Sequence, residues 1–269
     1  MLDLVDLKKT FQTGASTEQI GLDGLSLKLE KGEFVTVIGS NGAGKSTMFN
    51  AIAGSIMVDA GKISLDGQDI TYAREHSRAK QIGRIFQDPA TGTAPNLSIE
   101  ENLALAYSKA TGRFPLKIAL RSADRARFRE ALSRYGMGLE NRLKERVGLL
   151  SGGQRQALAL LLATLVTPKL LLLDEHTTAL DPVAAEKIMR LTSDIVAENG
   201  ITTLMITHNI SSALEMGTRT VTMDRGKIVM DLHGEERKNM NTYELLQLYR
   251  SVTQRELDND RMLFSGREV

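Results

Sequence analysis

The chain has 269 residues, which is enough for a full hydrophobic core built as one large domain or two closely packed subdomains. With 42% hydrophobic and 25% charged residues it has the composition of a globular protein, and a net charge of +1 provides no global field for a nucleic-acid partner. The absence of cysteine excludes disulfides, thiolate metal sites and cysteine nucleophiles.

Neither end of the chain nor its interior predicts a membrane segment. The first residues, Met1 to Asp6, carry acids and lack the basic-then-apolar order of a secretory signal. The richest apolar run, Ala157 to Val166, is shorter than the roughly 20 residues that a membrane-spanning helix needs. We therefore expect a cytosolic protein that reaches a membrane only through a partner.

The first part of the chain predicts mainly strands. The apolar, β-branched run Phe34–Ile38 is of the kind that fills a buried strand. Asp66-Gly67 is typical of a tight hairpin turn. A glycine-rich loop precedes one helix, which Gly54 ends. The predicted strands are Phe34–Ile38, Lys62–Leu65 and Gln81–Phe86, and the predicted helix is Ser46–Ala53.

Helices follow from about Asp88 to Ala163, beginning with the cap Ser98, and strands alternate with a helix after Pro168. The later strands are Leu170–Leu173, Thr202–Thr207 and Thr220–Met223, with a helix over Val183–Glu198. This order predicts an α/β fold with a mainly parallel central sheet, an N-terminal antiparallel β region and an inserted helical subdomain. The expected divisions are a core over 1–87 and 164–235, the helical subdomain over 88–163, and a C-terminal helical extension and tail over 236–269.

The loop after the first buried strand fits the phosphate-binding pattern G-x-x-x-x-G-K-[ST] in full. Its glycines let backbone N–H groups curl around phosphate oxygens, and the following helix adds its positive end. Lys45 would reach the β- and γ-phosphates, and Ser46 would ligate Mg²⁺. The predicted ATP-binding residues here are Gly39, Ser40, Asn41, Gly42, Ala43, Gly44, Lys45, Ser46 and Thr47.

A second acidic element completes a nucleotide-hydrolysing site. The apolar run Leu171 to Leu173 ends in Asp174 and Glu175. A strand of this kind delivers Asp174 to a sheet edge, where it can hold Mg²⁺ through water. Glu175 is placed to polarise an attacking water molecule.

Between these two motifs lies Leu150-Ser151-Gly152-Gly153-Gln154, which resembles the LSGGQ signature of ATP-binding cassette (ABC) proteins. The resemblance covers about residues 1–235 and implies a P-loop NTPase fold and a dimer in which the signature of one copy covers the ATP of the other. Glycines at a helix start would present N–H donors to the γ-phosphate. The signature residues expected to bind nucleotide are Ser151, Gly152, Gly153 and Gln154.

The resemblance implies roles for four further residues. Phe11 would stack on adenine, although the family more often has Tyr there and a core Phe is the alternative. Gln87 would contact Mg²⁺ or water, and His208 would contact the γ-phosphate. Asp181 would lie in the loop that crosses to the other subunit. The catalytic set is then Glu175, His208, Gln87 and Lys45, and the metal ligands are Ser46, Gln87 and Asp174.

The family also implies the partners. We expect a homodimer, or a pair with a second ATPase subunit, that hydrolyses ATP with Mg²⁺ at the cytoplasmic face of the membrane, beneath separate permease subunits. An extracytoplasmic solute-binding protein would supply an amino acid or related small solute for uptake, and no nucleic acid is expected. A cassette factor of DNA repair or translation and a soluble ATP-binding scaffold are the alternatives, which co-purified partners would distinguish.

Two features leave alternatives open. His176 stands where the family usually has Pro, in an Asp-Glu-His variant that resembles uptake-system ATPases. It is either a tolerated loop substitution or a side chain that makes an extra polar contact near the hydrolysis site. An arginine-rich stretch is either a solvated helix face or a contact for anionic lipid headgroups, and it contains Arg121, Arg125, Arg127, Arg129 and Arg134.

Overall fold

The chain forms two units, and the first is made of two separate stretches. The computed structural model describes residues 1–12, 18–111 and 122–253, apart from the side chains of 110 and 111. The first unit comprises the described parts of Met1–Arg78 and Thr202–Val269, and the second comprises those of Ala79–Ile201. The last residues of the predicted tail, 254–269, and Arg121 lie outside the described residues.

The first stretch of the first unit contains an antiparallel sheet and the strand that leads to the phosphate loop. The antiparallel sheet has the strand order β2-β1-β4-β5. Asp66 and Gly67 both have positive φ, 50° and 76°, as a tight hairpin turn requires. The elements are β1 (Leu2–Gln12), β2 (Glu18–Leu29), β3 (Phe34–Ile38), α1 (Lys45–Ala53), β4 (Ala60–Leu65), β5 (Gln68–Asp69) and α2 (Glu75–Arg78).

The second unit combines a pair of parallel strands with most of the longer helices. Ser98 caps its first helix as predicted, because its backbone N–H donates to the Glu101 carboxylate at 2.7 Å and its hydroxyl accepts from the Glu101 N–H. Its strands β6 and β7 pair in parallel. The elements are β6 (Ile82–Ile85), α3 (Ile99–Thr111), α4 (Ser122–Ser133), α5 (Gly152–Thr164), β7 (Leu170–Asp174) and α6 (Pro182–Asn199).

The second stretch of the first unit completes its parallel sheet. Strand β3 lies between β8 and β9 and is parallel to both, whereas β10 is antiparallel to β9. Strand β10 and helix α8 are not predicted from the sequence. The elements are β8 (Thr202–Ile206), α7 (Ile210–Glu215), β9 (Arg219–Asp224), β10 (Lys227–His233), α8 (Gly234–Lys238) and α9 (Thr242–Thr253).

Buried contacts hold the two elements on either side of the phosphate loop, β3 and α1. All five residues of β3 are buried, as expected for a strand with neighbours on both edges. At the far end of α1, the buried Arg78 donates from Nη1 to the carbonyls of Ala51 and Ile52 at 2.6 and 2.9 Å. A cation at a helix C-terminus stabilises it by satisfying its last carbonyls.

Among the residues that the structure describes, none of the helices combines the length and the apolar character needed to cross a bilayer. Helix α5, which carries most of the apolar run noted in the sequence, has 13 residues.

Candidate functional site

The phosphate loop connects β3 to α1 in the first unit, and its glycines are required by close backbone contacts. Gly44 caps α1 at φ 101°, and a Cβ there would lie 2.4 Å from the carbonyl oxygen of Gly21. A Cβ on Gly39 would lie 2.5 Å from the carbonyl oxygen of Met223. Only glycine fits at either position, so these two glycines allow the close backbone contacts that the loop requires.

Lys45 is held inside the loop and is only 6% exposed. Its ammonium donates to the carbonyls of Gly39 at 2.6 Å and Ser40 at 3.1 Å. Asn41, Gly42 and Ser46 are exposed around it. A lysine ammonium at a helix N-terminus whose first N–H groups face a loop suits a polyanion such as a phosphate chain.

Phe11 lies near the same helix start. It is only partly buried, at the end of β1, and so is not a core residue. A Cβ on Gly21 would lie 2.6 Å from Cε2 of Phe11 and 2.9 Å from Cγ2 of Thr47, so a bare backbone at Gly21 makes room for both side chains. The Lys9 ammonium lies 5.7 Å from the ring centroid. The first unit therefore presents an aromatic ring beside Thr47 of helix α1.

His208 is the other predicted residue of the first unit, and it lies two residues after the end of β8. It is half-buried, and its neighbour Asn209 caps α7 by accepting from the Ser212 N–H at 3.0 Å. This cap ends the strand and starts the helix within three residues, so the position of His208 is set by the turn between them.

In the second unit, Asp174 is the last residue of the buried strand β7, and Glu175 follows it. The Arg84 guanidinium on the adjacent strand β6 donates to the Asp174 carboxylate at 3.3 Å, with both side chains mostly buried. Glu175 has φ 47°, and its carbonyl accepts from the Thr178 N–H at 3.0 Å. A non-glycine residue in the left-handed region marks strain of the kind found at functional sites. Arg84 is not predicted from the sequence, because its partner is set only by the pairing of β6 with β7.

His176 is buried, with 2% of its surface exposed. Its Nε2 lies 3.1 Å from the Thr192 hydroxyl, which itself donates to the Ile188 carbonyl at 2.8 Å. Burial lowers the pKa of His176 to about 4, so the imidazole is neutral at neutral pH. The side chain therefore makes a polar contact that proline could not make, and the contact is with helix α6.

The signature residues form the start of α5. Ser151 and Gln154 make a reciprocal capping box, in which each side chain bonds the other residue's N–H at 3.3 Å. Ser151 and Gly152 are exposed and Gly153 is buried. A Cβ on Gly153 would lie 3.0 Å from Cβ of Ala184, so α5 and α6 start side by side.

Asp181 and Gln87 complete the predicted set in this unit. Asp181 caps α6 by accepting from the Ala184 N–H at 3.0 Å, with Pro182 in the first turn. Gln87 is exposed and lies two residues after the end of β6. The structure thus places the loop, Phe11 and His208 in the first unit, and Gln87, the signature, Asp174, Glu175 and Asp181 in the second.

Comparison with known proteins identifies the family of the chain. Residues 22–178 match the family model described as ABC transporter. A tyrosine transport ATP-binding protein of Clostridioides difficile is 41% identical over 249 residues, which cover 93% of this chain and 98% of that protein. The methionine import ATP-binding protein MetN of Rhizobium johnstonii is 36% identical over 84% of this chain, which spans 59% of that longer protein.

Solved structures show the same fold. A dimeric ATP-binding cassette in a post-hydrolysis state, bound to ADP and Pi, superposes with a TM-score of 0.74 at 29% identity, covering 87% of this chain and 98% of that one. The cassette cbiO1 of Clostridium perfringens, part of an ABC transporter complex, matches 93% of this chain and 94% of its own with a TM-score of 0.72 at 26% identity. The chain therefore belongs to the ABC transporter family, as an ATP-binding and ATP-hydrolysing subunit.

Proposed function

We propose that this subunit powers the uptake of an amino acid or a related small solute through separate membrane-spanning permease subunits. The observation that carries the proposal is the 41% identity to a tyrosine transport ATP-binding protein over 98% of its length. The methionine import relative points to the same class of solute. Relatives for xylose and arabinose import and for phosphonate import are less similar, at 33% and 32% identity.

In this proposal two cassettes pair and each copy supplies part of two ATP sites. Lys45 and the N–H groups of the Gly39–Ser46 loop bind the phosphates, and Phe11 stacks on the adenine. The N-terminus of α5, capped by Ser151, contacts the nucleotide of the other copy, with Asp181 nearby. Support comes from the exposed Ser151 and Gly152 at a capped helix start and from the dimeric state of the cassette bound to ADP and Pi.

Hydrolysis in this proposal relies on a group that orients water, a contact to the γ-phosphate and Mg²⁺. Glu175 orients the attacking water, and His208 contacts the γ-phosphate. Mg²⁺, when bound, neutralises charge that develops on the phosphates. The Ser46 hydroxyl, the Gln87 amide and the Asp174 carboxylate supply the oxygen donors that Mg²⁺ prefers, and Ser46 and Gln87 are exposed. The Asp174 carboxylate also accepts from the Arg84 guanidinium at 3.3 Å, which holds it in place at the end of β7.

The subunit is proposed to act at the cytoplasmic face of the membrane, where ATP is available, with an extracytoplasmic solute-binding protein in the same system. The test is to purify the protein in detergent with the membrane subunits that accompany it and to reconstitute the complex in vesicles. We expect ATP-dependent uptake of labelled tyrosine or methionine and none of xylose. Uptake of the sugar alone would contradict the substrate class, and recovery of soluble partners alone would favour a scaffold.

A further inference from the structure

Helix α9, near the end of the described chain, contacts the phosphate loop through a single tyrosine. The backbone N–H of Ser40 donates to the Tyr249 hydroxyl at 3.0 Å, between residues 209 positions apart in the sequence. Tyr249 is 0% exposed, and Ser40 is 7% exposed. The bond is therefore shielded from water at both ends, and a buried N–H that lost it would have no water to replace it.

The ring of Tyr249 is fixed by an apolar cluster that includes the last residue before the loop. Ile38 ends β3, and it packs in one cluster with Tyr249, Leu245 and Leu246 of α9. All four are buried, with exposures of 3% or less. Helix α9 thus contacts both the strand that delivers the loop and the second residue of the loop itself.

The backbone carbonyl of Ser40 is hydrogen-bonded within the loop as well. It accepts from both the Lys45 ammonium and the Ala43 N–H, each at 3.1 Å. The Ser40 N–H shares its peptide unit with the Gly39 carbonyl, which accepts from the Lys45 ammonium at 2.6 Å. Tyr249 and Lys45 therefore hold the two sides of this peptide unit, and its orientation is fixed partly from outside the loop. A loop held in its binding conformation before the ligand arrives loses less entropy on binding.

We propose that Tyr249 is a positioning residue for ATP binding: its hydroxyl holds the Ser40 N–H so that the loop and the Lys45 ammonium are preorganised for the phosphates. The inference rests on the proposed role of the Gly39–Ser46 loop. It makes nucleotide affinity depend on α9, an element outside the motifs that bind nucleotide.

The test compares Tyr249→Phe with Tyr243→Phe in the full chain. Phenylalanine keeps the ring that packs on Ile38 and removes only the hydroxyl. Tyr243 lies on the same helix but is 59% exposed, so its hydroxyl serves as the control. We expect the Kd for ATP with Mg²⁺ to rise about fivefold in Tyr249→Phe, which is the factor given by the loss of one net hydrogen bond, and to stay unchanged in Tyr243→Phe.

Hydrogen exchange supplies a readout that a merely structural role would not change. In nucleotide-free Tyr249→Phe, amides of the loop should exchange faster than in wild type, while amides within α9 keep their protection. An unchanged Kd would overturn the proposal, and so would a raised Kd without faster exchange in the loop. If Tyr249→Phe does not fold, the wild-type protein still decides, because a Ser40 amide that exchanges as fast as an exposed one contradicts the bond.

Wild type and Lys45→Ala separate this inference from the proposed function. If Lys45→Ala binds ATP as tightly as wild type, the loop is not the phosphate site and both proposals are wrong. If Lys45→Ala loses affinity while Tyr249→Phe does not, the ATP site stands and only the role of Tyr249 is overturned.

Discussion

The imidazole of His176 and the hydroxyl of Thr192 form a buried hydrogen bond that is 3.1 Å long. His176 directly follows Glu175 in the sequence. Because the Thr192 hydroxyl donates its only proton to the Ile188 carbonyl, its oxygen accepts from Nε2–H of His176. We infer from this network that the proton lies on Nε2. The bond ties the turn that begins at Glu175 to helix α6.

Replacing Thr192 tests the contribution of this bond. Thr192→Val keeps the shape of the side chain but leaves the buried Nε2–H without an acceptor, so we expect the free energy of unfolding to fall by about 1–3 kcal/mol. Thr192→Ser keeps the hydroxyl, so its free energy of unfolding should be higher than that of Thr192→Val by most of this amount. Denaturant unfolding of the nucleotide-free protein measures both, and equal stabilities of Thr192→Val and Thr192→Ser would show that the bond contributes nothing.

Glu175→Gln tests the proposed water-orienting group. The substitution keeps the size of the side chain and removes the carboxylate, so turnover should fall by roughly 10²- to 10⁴-fold, the usual contribution of a general base. ATP-induced dimerisation should persist, since the phosphate-binding loop is intact. Steady-state phosphate release and size-exclusion chromatography with ATP measure the two effects, and hydrolysis at the wild-type rate would remove Glu175 from the mechanism.

The elements that the sequence predicts are those whose signals are local. The buried run Phe34–Ile38 is β3, the predicted helix Ser46–Ala53 begins one residue earlier as α1, and Ser98 caps α3. Each depends on residues within one turn or one strand, where apolar runs, glycines and caps act directly. The predicted parallel strands, the antiparallel N-terminal region and the family are likewise confirmed.

The features that the sequence does not predict depend on contacts between distant parts of the chain. Arg84 meets Asp174 only because β6 pairs with β7 in one register. Tyr249 meets Ser40 only because α9 packs on Ile38. The run Ile228–Met230 in β10 is apolar yet only partly buried, because β10 is an edge strand, and its place at that edge depends on pairing with β9. The roles of the site residues stay predictions, because they concern a ligand and a partner copy.

Asp181 combines a structural role with a proposed role at the dimer contact, and two substitutions separate them. Asp181→Ala removes the cap of α6 and should lower the free energy of unfolding by about 1 kcal/mol. Asp181→Asn keeps an oxygen for the Ala184 N–H and should retain the stability of the wild type. If the carboxylate also acts in the dimer, Asp181→Asn should reduce ATP hydrolysis without loss of stability. An Asp181→Ala protein as stable as wild type would contradict the capping contribution, whatever its activity.

Phe11 is predicted to stack on the adenine of ATP, and a ligand without a base isolates that contact. Phe11→Ala should raise the Kd for ATP about tenfold, in line with the loss of one base–aromatic stack, whereas Phe11→Tyr keeps the ring and the affinity. Binding of inorganic tripolyphosphate, which has phosphates but no base, should be the same in all three proteins. Isothermal titration calorimetry measures the Kd of each protein for ATP and for tripolyphosphate. If Phe11→Ala weakens tripolyphosphate and ATP equally, the ring acts through its position beside Thr47 at the start of α1, and the stacking role is wrong.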